Sequence, residues 1–256
     1  MSSNPTPPMA CSEPAYMYWK ETKRLMNFLK VVIHNASLVG EAFQNLGSQG
    51  IVSSPVILVA AAEISARKGM LTPYEGLLFE MALCRSVDNY LNYLSELLAL
   101  IFKTRPQALK ASQQSVPLET ILAHSDYGEL LGAITEERVI GLSMKGLGDL
   151  NAYLEKQLGF PLFDDPDELA FCVLTVEKRN LIVHNRGVIN RRYLRNVQRS
   201  SGALGERIIL DGDSLIQDMG KLAVAALTTD PRVAAKFGIP QPQSVIVTDL
   251  MDATPY

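Results

Sequence analysis

Several residues and patterns that mark common protein classes are scarce in this sequence. Cysteine occurs only at positions 11, 84 and 172 of 256 residues, with no Cys-x-x-Cys pair. Widely spaced, unpaired cysteines are typical of reduced intracellular proteins and give no zinc-binding pattern. The apolar runs VILVAAA and LLALIF are interrupted by Glu63 and Lys103, and both are shorter than the ~20 residues that a membrane helix needs. These absences predict a soluble, cytoplasmic protein that has no contact with a membrane.

The motifs of the common enzyme and cofactor sites are also missing from the sequence. It contains no HExxH, no GxSxG, no P-loop and no dinucleotide fingerprint. The acidic run DDPDE at 164–168 is explained by helix capping rather than by metal binding. We therefore expect no metal site and no organic cofactor. The N-terminus lacks a basic segment followed by an apolar one, so it does not predict a secretory signal.

The composition is that of a folded helical protein. Hydrophobic residues make up 47% of the chain and charged residues 20%, which gives ample apolar material for a core. Apolar residues recur at helical spacing through most of the chain, and only 206–210 and 244–248 resemble strands. The sequence predicts an all-α bundle over residues 15–236. A disordered leader precedes it at 1–14, and an irregular tail with at most a short β-hairpin follows at 237–256.

Start and stop signals divide the bundle into helices. We predict helices near 16–46, 54–68, 72–102, 117–123, 127–133, 135–158 and 166–186. The last of these is the best marked, with Asp165 as N-cap, Pro166 in the first turn and Gly187 as the stop. Asp167 and Glu168 also favour this start, because acidic side chains stabilise the positive end of the helix dipole.

Three chemically capable residues lie close together near the end of this last helix, in the segment EKRNLIVHNRG (177–187). They are Arg179, Asn180 and His184. At about 100° per residue, Arg179 and His184 are about 140° apart on the helical wheel. They are therefore poorly placed to act together within one chain, whereas a two-fold axis could bring the pairs of two subunits into one cleft.

The helix also has apolar residues on two sides. One stripe consists of Leu169, Cys172, Val173, Val176 and Val183, and a second region consists of Phe171, Leu174, Leu181 and Ile182. A helix that is apolar on two sides must be covered on both. The bundle can cover one side, and a second copy of the chain is a natural cover for the other. The pattern thus predicts a homodimer with this helix at the interface.

The segment RNLIVH (179–184) resembles the Arg-x4-His motif of the HEPN superfamily, in which a polar residue follows the arginine and the histidine lies near a helix end. The match covers six residues, and the helical setting of roughly residues 16–230 agrees with it. The resemblance implies a HEPN-like helical bundle and a homodimeric, metal-independent endoribonuclease. Such proteins often belong to toxin–antitoxin or antiviral systems, which implies an antitoxin or another regulatory protein as a partner.

The resemblance assigns a catalytic role to each of the three residues. His184 would be the base that takes the proton from the RNA 2′-OH. Arg179 would hold phosphate oxygens in a two-point grip. Asn180 would orient the phosphate or the histidine, or else bond to neighbouring backbone. Two alternatives stay open: a catalytically silent HEPN-like module for dimerisation or binding, and an unrelated helical scaffold with a structural arginine and histidine.

A local excess of positive charge supports RNA as the partner. Seven basic residues and no acidic ones occur between Lys178 and Arg199, although the whole chain carries a net charge of −3. Such a segment beside a nuclease site would contact phosphates. The predicted RNA-binding residues are Lys178, Asn185, Arg186, Arg191, Arg192 and Arg195. A solvated helix face, or a surface for an acidic protein, is the alternative interpretation.

Overall fold

A computed structural model describes residues 8–48, 74–111, 116–143, 145–197 and 202–246 of the chain. This part of the protein is mostly helical, which confirms the all-α prediction. The helix predicted at 54–68 lies outside the described residues. None of the helices within these ranges is both long enough and apolar enough to cross a membrane.

The structure shows both helices and strands within the described residues. In chain order they are β1 Met9–Cys11, α1 Glu13–Ser48, α2 Glu75–Thr104, a 3-10 helix at Pro106–Ala111, α3 Leu118–Leu122, α4 Tyr127–Ser143, α5 Leu147–Leu158, α6 Pro166–Asn185, α7 Arg191–Asn196, α8 Gly212–Phe237 and β2 Gln243–Val245. Helix α2 is central and packs against α1, α4, α6 and α8. Helix α6 packs against α2, α5, α7 and α8, so it lies where several elements meet.

The main core is built around the periodic apolar face of α2. Side chains three and four residues apart, such as Leu83, Val87 and Tyr90, point to one side of the helix and are fully buried. The rings of Tyr90 and Tyr93 lie 6.0 Å apart, and that of Tyr18 on α1 lies within 6.0 Å of both. Packed aromatic side chains of this kind stabilise the seam between α1 and α2.

The two strands come from opposite ends of the described chain. β1 pairs with β2 in antiparallel orientation, with Met9 opposite Val245. The backbone N–H of Ser12 donates to the buried carboxylate of Asp230 on α8 at 2.9 Å, and the hydroxyl of Ser12 donates to the same carboxylate. Residues 9–14 are therefore ordered, in contrast to the expected disordered leader. The reason is tertiary, because their partners lie more than 200 residues away.

Two further predicted segments differ in detail. The helix expected over 135–158 is divided between α4 and α5, because Gly146 takes a left-handed φ of 97° that no regular helix contains. The strand expected at 206–210 is reduced to an isolated bridge between Val188 and Arg207. Backbone hydrogen bonds from Ile189 to Glu206 and from Ile208 to Gly187, at 2.8 and 2.9 Å, hold this segment against the turn after α6.

Candidate functional site

Helix α6 begins and ends close to its predicted limits. The side chain of Asp165 accepts a hydrogen bond from the backbone N–H of Asp167 at 2.9 Å, and Pro166 follows the cap. At the other end Arg186 and Gly187 take left-handed conformations, with φ of 53° and 75°. The N–H of Gly187 bonds to the carbonyl of Leu181 at 2.9 Å, which closes the last turn. The predicted site residues therefore lie on the last two turns of a well-capped helix.

Both apolar sides of α6 are covered by the same chain. Cys172 and Val176 are buried in the main core, and Leu181 is buried in a second core cluster with Ile189, Tyr193 and Val197. That second cluster is made by α7 and its flanking segments, which the sequence did not assign to this role. The apolar pattern of α6 therefore no longer supports a second copy as its cover. Val183, assigned to the buried stripe, is 50% exposed.

A pocket of about 610 Å³ lies against α6, between it and α2, the start of α5, and α7. Arg179, Asn180 and His184 all line this pocket, together with Glu177. Arg179 and His184 therefore line one pocket of one chain, although the helical wheel separates them by about 140°. The wheel places only the Cα–Cβ directions, and the long side chain of Arg179 extends around the helix to the pocket.

The guanidinium of Arg179 is held by two neighbours. Its Nη2 lies 2.7 Å from Oδ1 of Asp88 on α2, and its Nη1 donates to Oδ1 of Asn180 at 3.2 Å. The third nitrogen, Nε, is buried without a hydrogen-bond partner. These contacts fix the plane of the guanidinium and leave one N–H on each terminal nitrogen, because each carries two. Asn180 therefore orients the arginine.

His184 and Glu177 lie on the same face of α6, two turns apart. His184 is exposed at the mouth of the pocket, and its ring has no hydrogen-bond partner among the described residues. Glu177 is 8% exposed, and its Oε1 accepts a hydrogen bond from Nδ2 of Asn196 at 2.9 Å. The pocket therefore offers an accessible imidazole at one end and a buried carboxylate at the other.

Positive groups surround the rest of the mouth. Lys145 and Arg192 line the pocket and are exposed. The first turn of α5 also lines it, and its N-cap residue, Gly146, offers no side chain to satisfy the free N–H groups. Uncapped N–H groups at a helix N-terminus favour anions. Asp149 is an exposed acidic residue in the same lining.

The other predicted RNA-binding residues lie elsewhere. Lys178 makes an ion pair with the buried Asp218 of α8 at 2.7 Å, and the side-chain amide of Asn185 donates to the carbonyl of Val188 in the turn after α6. Both are occupied in holding the fold together. The exposed basic residues Arg186, Arg191 and Arg195 do not line the pocket.

The cysteines do not suit a nucleophilic role. Burial raises the pKa of Cys172 to about 12 and, with the nearby carboxylate of Asp230, that of Cys11 to about 11. A thiol with such a pKa stays protonated at neutral pH. Within the described ranges, no group of three or more His, Cys, Asp or Glu side chains is arranged to hold a metal ion.

Four polar residues of the site were not identified from the sequence: Asp88, Lys145, Glu177 and Asn196. Glu177 could be identified from the sequence, because a spacing of seven residues places it on the same helix face as His184. Lys145 and Asn196 line the pocket from the connection before α5 and from α7, and Asp88 contacts Arg179 from α2. Nothing local in the sequence marks their proximity to Arg179.

Comparisons with protein-family models, with curated proteins and with solved structures found no match for this chain.

Proposed function

We propose that the protein is a metal-independent endoribonuclease of HEPN-like type, and that the pocket on α6 is its active site. Toxin–antitoxin activity or antiviral defence, with a protein regulator, is the setting that the resemblance implies. A homodimer also remains a prediction from the resemblance, whereas the apolar pattern of α6 does not require one, because its own chain covers the helix.

One observation carries the proposal. Arg179, Asn180 and His184 line a single pocket, together with the further cations Lys145 and Arg192. An anion is favoured there by three cationic side chains and by the start of α5. The imidazole lies at the mouth, where it is accessible to substrate. A phosphodiester of RNA is a ligand that uses all these groups at once.

The reaction that these groups support is an internal transesterification. His184 takes the proton of the 2′-OH, and the 2′-oxygen forms a bond to phosphorus while the bond from phosphorus to the 5′-oxygen breaks. The leaving 5′-oxygen takes a proton from solvent. Arg179 stabilises the charge that grows on the phosphate oxygens. The products are a 2′,3′-cyclic phosphate and a 5′-hydroxyl, and no water is consumed.

A catalytically silent module is the second candidate, and the contact between Arg179 and Asp88 favours it. At 2.7 Å, this ion pair already gives the guanidinium a carboxylate partner. An arginine that is paired in this way can serve the fold alone. The pocket would then bind an anionic ligand without cleaving it.

Cleavage of RNA in EDTA separates the two candidates. Purified protein is incubated with single-stranded and with structured RNA, and product ends are identified by their phosphate chemistry. The enzyme predicts cyclic phosphate ends that are lost in His184→Ala. A silent module predicts RNA binding without any cut.

The matched control is His34→Ala. His34 is an exposed histidine on α1 and does not line the pocket. Cleavage that survives in His184→Ala at the level of the His34→Ala control would refute the proposed role of the pocket. A loss in both variants would indicate an effect on folding rather than on chemistry.

A further inference from the structure

We propose that the pocket binds one unpaired nucleotide and that Glu177 selects guanine. This inference rests on the proposed function, since it concerns the substrate of the same site. It gives Glu177 the role of recognising the base. Glu177 belongs neither to the Arg-x4-His segment nor to the predicted RNA-binding residues.

The pocket has the layout that a single nucleotide requires. Its deep lining includes apolar side chains that are less than one-tenth exposed, among them Leu94, Leu142, Leu150 and Val176. Lys145, Asp149 and Arg192, by contrast, are exposed at the mouth. The volume of about 610 Å³ lies within the range of about 300–1,000 Å³ of small-molecule sites. An extruded base is held between apolar side chains in just this kind of environment.

Glu177 is the charged group that is buried with this apolar lining. Its Oε1 is bonded to Asn196, whereas Oε2 has no hydrogen-bond partner among the described residues. Oε2 is not one of the buried polar atoms that lack a partner, so it is accessible from the pocket. The pocket therefore presents an acceptor that a ligand with N–H groups would satisfy.

Guanine fits this acceptor better than the other bases do. An ionised carboxylate only accepts hydrogen bonds. Guanine offers two adjacent donors on its Watson–Crick edge, N1–H and the 2-amino group. Adenine, cytosine and uracil each offer a single donor group on that edge, next to acceptors that a carboxylate repels.

The position of Glu177 relative to His184 agrees with this arrangement. Seven residues of helix separate their Cα atoms by about 10.5 Å along the axis. The one hydrogen bond of the Glu177 carboxylate among the described residues comes from Asn196 rather than from His184. The separation leaves room for the base and sugar of one nucleotide, with the base edge at Glu177 and the phosphate at the mouth. The recognised guanosine would then be adjacent to the cut.

Binding of mononucleotides tests the inference without any need for cleavage. Guanosine 3′-monophosphate and inosine 3′-monophosphate are compared by calorimetry on the wild-type protein, because inosine differs from guanosine only by the missing 2-amino group. We expect guanosine to bind about tenfold more tightly, which is the effect of one hydrogen bond to a charged group. The adenosine, cytidine and uridine phosphates should bind more weakly still.

Glu177→Gln should remove the preference for guanosine over inosine, and Glu137→Gln should keep it. Glu137 is an exposed glutamate on α4 that does not line the pocket. Retention of the preference in Glu177→Gln would overturn the inference and leave Glu177 as the anchor of Asn196. Equal affinity of the wild-type protein for both nucleotides, or no binding of either, would also overturn it and does not depend on how any variant folds.

The failure of this inference and the failure of the proposed function give different results. RNA cleavage without any preference for guanine would support the nuclease and refute the nucleotide pocket. Guanosine-selective binding by a protein that cuts no RNA would support the nucleotide pocket and refute the nuclease.

Discussion

Asp88 is the side chain that holds Arg179 from the opposite helix, through a contact of 2.7 Å. We expect Asp88→Asn to lower the rate of RNA cleavage about tenfold or more, because a small displacement of a positioned group is costly in catalysis. Stability should change by at most about 1 kcal/mol, since both side chains are partly exposed. Single-turnover kinetics and denaturant unfolding measure the two effects.

The control for this prediction is Glu21→Gln. It removes the carboxylate that Arg85, also on α2, contacts at 2.9 Å away from the pocket. Cleavage should be unaffected by that change. A wild-type rate in Asp88→Asn would show that Arg179 does not need its partner.

Arg186 stores backbone strain at the end of α6. Among the described residues it is the one non-glycine residue with a positive φ, at 53°. The left-handed conformation costs an L-residue about 1–2 kcal/mol. Glycine avoids this cost, but its greater flexibility in the unfolded state reduces the net stabilisation. We expect Arg186→Gly to raise the free energy of unfolding by about 0.5–1 kcal/mol, measured from denaturant curves.

Arg186→Ala is the comparison that isolates this effect, because it removes the same charge and keeps the Cβ atom. It should give no stabilisation. If the two variants are equally stable, the conformation at this position is not strained. If both weaken RNA binding equally, the charge of Arg186 contributes to that binding.

At the scale of the elements, some basic residues of α6 and α7 stabilise the fold and others are exposed to solvent. Lys178 is paired with the buried Asp218, whereas Arg192 is exposed at the pocket. Lys178→Met should lower the free energy of unfolding by about 3 kcal/mol, because it leaves a buried carboxylate without its cation. Arg192→Met should leave stability within about 0.5 kcal/mol.

RNA affinity should depend on Arg192 and not on Lys178, which is the reverse of their expected effects on stability. Arg192→Met should flatten the log–log salt dependence of RNA affinity by about one unit. Lys178→Met should keep the wild-type slope under conditions where it is folded. A reduced slope in Lys178→Met and an unchanged one in Arg192→Met would restore the sequence-based role of Lys178 and refute that of Arg192.

The helices were predictable from the sequence wherever local signals agree. Asp165, Pro166 and Gly187 fix the limits of α6, and the apolar period of α2 gives its buried face. Helix α8 has equally good signals in Asp211 and Ser214, which form a capping box, yet it was not singled out. Its internal Pro231 and its many alanines weaken the usual pattern.

The candidate site was predictable only within α6 and the basic segment that follows it, which contains Arg192. Arg179, Asn180 and His184 lie on α6, and their types and spacing were enough to select them. Asp88 contacts Arg179 from α2, and Asn196 lines the pocket from α7. Their proximity depends on how the helices pack, which a pattern along one helix does not contain. The same packing covers both sides of α6, so its apolar pattern alone does not require a dimer.

At the scale of the whole molecule, the structure places the residues of the proposed reaction in one chain. Arg179, His184 and Glu177 line the same pocket, and the second apolar side of α6 is covered by α7 and its flanking segments. The pocket that these residues share therefore lies within a single chain. The resemblance implies a dimer that cleaves RNA, whereas a pocket within one chain allows cleavage and dimerisation to be tested separately.

Mixing two inactive variants tests that separation. His184→Ala and Arg179→Ala should each abolish cleavage, and a refolded 1:1 mixture should stay inactive, because neither chain then has both residues in one pocket. If instead the productive pair crossed a two-fold interface, random pairing would restore up to about a quarter of the wild-type activity. Wild-type protein carried through the same refolding verifies that activity is recovered, and light scattering at micromolar concentration reports whether dimers are present. Recovered cleavage in the mixture would establish a two-chain site and overturn the assignment of the reaction to a single pocket.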